Sequence, residues 1–306
     1  MPSLRDVKRQ ITSIKNTAKV THALEAVSAT KMRRWQERAL NARPFAAKAL
    51  ALLSYLKLKS HKHYPTLGKT SPNPKAPEVI LVISSDKGLC GGHNIRLMAK
   101  ITNDQLPMTN YKFVALGRYG RDYLKRRNYD MILEEVGFAE HITRERVKEM
   151  YEFLEEGFLK GIFSKALVAY TEFITTLRQE PRIRQLLPVN ENDLAQIVEN
   201  IIPRSGKFSE LNANRYTLTP NFRYIFEPSI EAILPSLVKE LTQVALFHMV
   251  LEANASEHSA RMLAMKNATD NANEMLDTLG LQYNKARQGE ITKGVLEVAS
   301  GSQALA

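Results

Sequence analysis

Cysteine is nearly absent: the 306-residue chain carries one, Cys90. A lone thiol closes no intramolecular disulfide and builds no cysteine cage for a metal, which excludes a disulfide-stapled secreted scaffold and a zinc ribbon and fits a reducing compartment. Long hydrophobic runs are missing as well, none approaching the roughly 18 apolar residues of a membrane-spanning helix. The start, MPSLRDVKRQITSIK, is charged at once and lacks an apolar core or small-residue cleavage site, so no secretory leader is expected. Glycine does not occur in residues 2–58, and acids are scarce there. Only Asp6, Glu25 and Glu37 stand against 13 lysines and arginines in residues 1–59. No Ser/His/Asp set, carboxylate pair or HExxH pattern is visible, so no catalytic site and no cofactor are expected.

What is present is unevenly spread. Of a formal net charge of +11, residues 1–59 alone hold +10, which calls for an acidic or polyanionic partner of that segment. Leu4, Val7, Ile11, Ile14, Ala18 and Thr21 recur at alternating spacings of three and four, a heptad seam. Beyond it the apolar residues Leu24, Val27, Met32 and Trp35 suggest that the seam slips, and Pro44 is expected to kink or unwind the helix near residues 40–44. A matching helical pattern runs from Ser229 to Tyr283, its proline Pro235 tolerable if the helix starts near Leu234. Helices of roughly 80–85 Å need a partner along their length.

Between them, EVILVISS, YKFVALG, MILEEV, ALVAYTEFIT and RYIFEP read as strands, with helices at Ile95–Ile101, RYGRDYLKRR and Thr143–Lys160. The fold class is therefore α/β: a long antiparallel two-helix coiled coil formed by both termini, with an inserted open α/β sheet. The expected division is an N-terminal coiled-coil helix over 1–60, a linker over 61–77, a Rossmann-like α/β domain over 78–227, and a C-terminal coiled-coil helix and tip over 228–306. If Leu58 and Ser229 lie side by side, Met1 falls beside residue 286 and Thr21 beside Lys266. The last 20 residues then project as an unpaired tip, and ITKGVLEVASGSQALA, with only Lys293 and Glu297 charged, suits an apolar sleeve.

The strongest local motif is SSDKGLCGGHN, Ser84–Asn94, between a strand and a helix. Such a turn can cradle a phosphate on backbone N–H groups, but it lacks the GxGxxG and Walker spacings, so a structural turn is the preferred reading of Asp86, Gly88, Gly91, Gly92 and Asn94. Cys90 reads as a small buried hydrophobe. The histidines show no companion carboxylate or cysteine at ligand spacing and read as exposed or capping residues. The basic helix could be a solvated face. Its lack of interspersed acids argues for a functional charge instead.

The segments EHSARMLAMKNATDNANEM and LQYNKARQGEITKGVLEVASG, the N-terminal LRDVKRQITSIKNTAKVTHALEAVSATKMRR and the SSDKGLCGGHN turn together resemble the gamma subunit of F-type ATP synthase, bacterial type. The resemblance implies a non-catalytic rotor shaft that couples proton flow through the c-ring to ATP synthesis or hydrolysis at the beta subunits. It implies alpha and beta partners in a 3:3:1 assembly, an epsilon subunit and the c-ring, no nucleic acid, and a peripheral place on the cytoplasmic face of the bacterial inner membrane. It also implies that Lys31, Met32, Arg33 and Arg34 meet an acidic lever segment of beta, and that Arg287, Gln288 and Thr292 meet its catch loop. Arg287 suits a bidentate contact to a carboxylate. Gly294 departs from the family's usual glutamate. Two other readings are weaker: a basic coiled-coil nucleic-acid-binding protein leaves the charge-poor tip unexplained, and a nucleotide-dependent enzyme lacks an acid near TNYKF to hold a ribose.

Overall fold

The computed structural model describes residues 3–59, 71–103, 110–138, 140–189, 227 and 229–305. Two compact units divide the chain, residues 1–29 with 261–306 and residues 30–260. Helix α1 spans Leu4–Lys59 and α5 spans Ile230–Leu305. Ser3 caps α1, its hydroxyl oxygen accepting from the Asp6 N–H at 3.2 Å.

In the coil unit the two helices are antiparallel: the Thr269 hydroxyl lies 2.7 Å from that of Thr21. The expected register would have set Thr21 opposite Lys266, about one helical turn away. Carried along the pair, the observed register brings Leu4 level with Ala286. The seam on α1 does not slip to Val27, which is 53% exposed. It stays in heptad phase because Ser28, only 2% exposed, takes the inner position. The Ser28 hydroxyl donates to the Leu24 carbonyl at 2.7 Å, so this small polar residue is buried with its hydrogen bond made. Helical backbone continues through Pro44 rather than unwinding there.

α5 begins at Ile230, at the head of the expected pattern and not near Leu234, because Ser229 caps it. The Ser229 side-chain oxygen accepts from the Ala232 N–H at 3.3 Å and its carbonyl from the Ile233 N–H at 3.2 Å. Pro235 therefore sits inside the helix, close enough to the N-terminus that the bond it removes is one of the first. The helix runs unbroken past Gly280 to Leu305.

The larger unit holds five strands: β1 (Glu78–Ile83), β2 (Tyr111–Leu116), β3 (Met131–Glu135), β4 (Ala166–Phe173) and β5 (Gln179–Leu187). They are ordered β3-β2-β1-β4-β5, parallel except for β5, which pairs antiparallel with β4. β5, QEPRIRQLL, was not anticipated; the expected strand RYIFEP lies outside the described residues apart from Glu227, as does most of the expected linker. Pro181 in β5 is tolerable because β5 is an edge strand.

Helices α2 (His93–Asn103) and α3 (Arg118–Arg126) cover one face of the sheet over Ile80, Val82, Phe113 and Ala115. The other face, Leu81, Val114, Leu116 and Val168, packs against α4 (Arg144–Leu159), Trp35 of α1 and Val238–Ala255 of α5. Burial on both faces explains why β1, β2 and β4 are nearly continuous apolar runs, whereas the edge strand β3, MILEE, is only partly buried.

Candidate functional site

Three surfaces carry the residues that the sequence singles out. The glycine-rich turn after β1 stands at the point where strand order reverses, which is where open α/β sheets commonly bind ligands. Here the turn's polar groups are spent on the protein itself. Asn94, 3% exposed, accepts from the Ser85 N–H at 3.2 Å and donates to the Ser85 hydroxyl at 2.6 Å and to the Cys90 sulfur at 3.4 Å. Asp86 accepts from the N–H of Arg118, the first residue of α3, at 3.0 Å, and from that of Gly137 at 3.0 Å. Its carboxylate thus ties the turn to the N-terminus of α3 and to the Gly137 backbone instead of lying open to a ligand. Gly117 is fixed by close approach: a Cβ there would lie 2.1 Å from the Ser84 carbonyl oxygen, at a φ of +104°. Gly91 takes a φ of +56°, whereas Gly88 and Gly92 have room for a side chain. Cys90 is buried, as the small-hydrophobe reading requires.

The second surface is on α1. Arg33 and Arg34 are exposed, Met32 is only 6% exposed, and the Lys31 ammonium lies 3.1 Å from Glu140. Glu140 also holds Lys87 of the turn at 3.0 Å. Hydrogen bonds from Lys87 and then Lys31 draw the Glu140 carboxyl down to about 2. Of the four residues matched to the lever contact, Arg33 and Arg34 are open, Lys31 is partly engaged, and Met32 faces inward.

The third surface is the end of α5. Arg287, Gln288 and Thr292 are exposed, Thr292 donating to the Gln288 carbonyl at 2.9 Å within the helix. Among the described residues no carboxylate pairs with Arg287. Beside them Ile291, Val295, Leu296 and Val298 are 58%, 63%, 63% and 75% exposed, and in the coil register all four lie beyond Leu4. Bare apolar residues at this density mark a surface meant to be covered.

Two histidines depart from the exposed or capping reading. His93 and His248 are each 2% exposed, and His248 lies 3.6 Å from Glu252, one turn on. That carboxylate companion stands at i+4, a helical spacing the sequence itself carries. Among the described residues no cluster of three or more histidine, cysteine or carboxylate side chains is placed to hold a metal, and no helix is long and apolar enough to cross a membrane.

An open sheet with paired terminal helices, a turn closed on itself and a bare apolar end defines an assembly component whose chemistry lies in its contacts. The sequence matches the ATP synthase family over residues 3–305. Over the full length of both chains it is 36% identical to the ATP synthase gamma chain of Pelotomaculum thermopropionicum and 37% identical to that of Heliobacterium modesticaldum. In fold it resembles a chain of the Euglena gracilis mitochondrial ATP synthase rotor, with a TM-score of 0.61, 14% identity, and 94% of this chain and 98% of that chain covered. A chain of the same organism's OSCP/F1/c-ring assembly gives 0.64, with 14% identity and coverages of 99% and 94%. The chain belongs to the ATP synthase gamma chain family, and by that membership it is a non-catalytic subunit of the complex.

Proposed function

We propose that this chain turns as the central shaft of an F-type ATP synthase, its coil seated in a ring of three alpha and three beta subunits and its sheet unit resting on epsilon and the c-ring. The observation that supports this best is the exposed apolar stripe Ile291, Val295 and Val298, which continues α5 past the last level of α1. A sleeve that encloses such a tip buries it without asking for polar partners, and an off-centre coil presents a different face to each surrounding subunit. Binding free energy at each catalytic site then depends on shaft angle, so rotation becomes a sequence of population shifts.

Within this reading Arg33 and Arg34, with Lys31, face an acidic lever of beta, and Arg287, Gln288 and Thr292 face its catch loop. Met32 supports that contact from inside by packing α1. The sheet unit and its two flanking helix segments form the foot, and the complex lies on the cytoplasmic face of a bacterial inner membrane. The charge excess on residues 1–59 has an acidic protein as its partner, without nucleic acid.

Purified chain mixed with alpha and beta subunits is expected to elute as a 3:3:1 assembly with cooperative ATP hydrolysis. Arg287→Ala should weaken coupled turnover by about tenfold, the value of one charge-assisted bidentate contact of roughly 1.5 kcal/mol. Failure of the wild-type chain to join the two subunits would overturn the shaft reading.

A further inference from the structure

The signature EHSARM, residues 257–262, is left without a task by the contacts above. Its serine and the one just before the motif are the most enclosed polar residues of α5: Ser256 and Ser259 are both 0% exposed. They lie on one face of the helix, in line with Glu252 and His248, and that face meets the end of β4.

β1 pairs with β4 only as far as Ala169, so beyond that residue β4 keeps β5 on one side and has no strand on the other. The Ser256 hydroxyl donates to the Thr171 carbonyl at 3.0 Å. The Ser259 hydroxyl donates to the carbonyl of Thr176, in the turn joining β4 to β5, at 2.7 Å. Gln179, at the start of β5, completes the join: its side-chain amide donates to the same Thr176 carbonyl at 2.7 Å and to the Ser259 oxygen at 3.3 Å. Hydrophobic packing alone lets a helix slide or roll on a sheet at little cost, because apolar contact is non-directional. Hydroxyls bonded to fixed carbonyls do not, since each such bond has one geometry; losing that of Ser256 strands the Thr171 carbonyl, and losing that of Ser259 leaves the Thr176 carbonyl to Gln179 alone.

We propose that Ser256 and Ser259, with Gln179, are positioning residues that lock α5 to the β4–β5 hairpin, so that torque applied to the sheet unit reaches the helix without slip. The inference rests on the shaft reading. It predicts that the two hydroxyls matter under load and little at rest.

The test is a Ser256→Ala/Ser259→Ala double variant in the complete complex reconstituted into vesicles. ATP hydrolysis, ATP-driven proton pumping and hydrogen exchange at the hairpin amides of Ile174, Thr175 and Arg178 are measured together. Exchange at those amides should rise by about tenfold, as expected for losing buried hydrogen bonds. Protons pumped per ATP hydrolysed should fall by about half or more, with 3:3:1 assembly and hydrolysis without a gradient unchanged. Ser259→Thr, which keeps the hydroxyl, should restore the ratio in the single-site series. If the double variant fails to assemble, Ser259→Ala alone decides by the same readouts. A pumping ratio equal to wild type despite faster exchange overturns the inference and makes the seam purely structural. A wild-type chain that neither assembles nor pumps instead overturns the shaft reading.

Discussion

In the sheet unit Val79, Ile80, Leu81, Val82 and Leu154 are 0% exposed, while in the coil unit Leu281, Ile291, Val295, Leu296 and Val298 stand 58% to 75% exposed. Both sets are ordinary apolar side chains, and both sit in regular structure. The sheet unit is large enough to cover each face of its strands with helices, so its hydrophobic free energy is realised within the chain. A pair of helices has only one shared seam, and any apolar residue off that seam stays in water until another molecule arrives. The contrast therefore separates residues that fold this protein from residues that assemble it.

The sharpest way to break that separation is to truncate one side chain of each kind. Leu154→Ala should cost the isolated chain about 3 kcal/mol, the transfer term plus the cavity left among rigid neighbours. Val295→Ala should change the isolated chain by less than about 0.5 kcal/mol, since its side chain gains nothing from folding. Urea unfolding of both variants measures this. In the assembled complex the order should narrow, Val295→Ala then weakening association; a large effect of Val295→Ala on the isolated chain would show that the tip already has an internal partner.

A smaller effect tests the helix under the tip. Gly294 sits within α5 where a Cβ would meet nothing within 4 Å, so Gly294→Ala adds no clash. It removes unfolded-state freedom and should favour the helix by about 1 kcal/mol, seen as slower amide exchange over residues 288–300. No change there would mean that the tip's order is set by something other than local propensity.

How much of this was readable in advance follows from the range of the interactions. The apolar strands β1, β2 and β4 are buried on both faces and announce themselves, as does α4 behind its cap, where Thr143 accepts from the Arg146 N–H at 3.3 Å. β5 was hidden because Arg182 and Arg184 look like solvent residues. In the fold both bond Glu172 of β4, at 3.1 and 2.9 Å, and Arg184 also donates to the Tyr170 hydroxyl at 3.1 Å. A carboxylate ten or twelve positions away along the chain gives no local signal. Hydropathy favours Val27 over Ser28, the wrong order for a tight helix pair, where the small residue takes the inner position. The turn at Ser84–Asn94 was legible as a turn, but not what secures it, since Asp86 is held by residues 32 and 51 positions on. Likewise nothing near Lys31 foretells Glu140, 109 residues away.

That last pair yields the subtlest test, because it ties a proposed contact residue to the folded core of the sheet unit by charge alone. The Glu140 carboxyl ionises near 4.5 when unfolded and is held at about 2 in the native chain by Lys87 and Lys31. A depressed native value means that between about 2 and 4.5 the unfolded chain binds more protons, so stability rises with pH across that window. The contribution is complete above it and lost as pH falls through about 2. Because all three side chains are partly solvated, each pair is worth only about 0.5 kcal/mol. Glu140→Gln should therefore lower the urea midpoint slightly at pH 7, lose its effect as the pH approaches 2, and lose most of it in 1 M salt, where the screening length is about 3 Å. A deficit that persisted in acid and in salt would mean that Glu140 holds the loop by shape, and that Lys31 is not free to exchange its carboxylate for one on a partner.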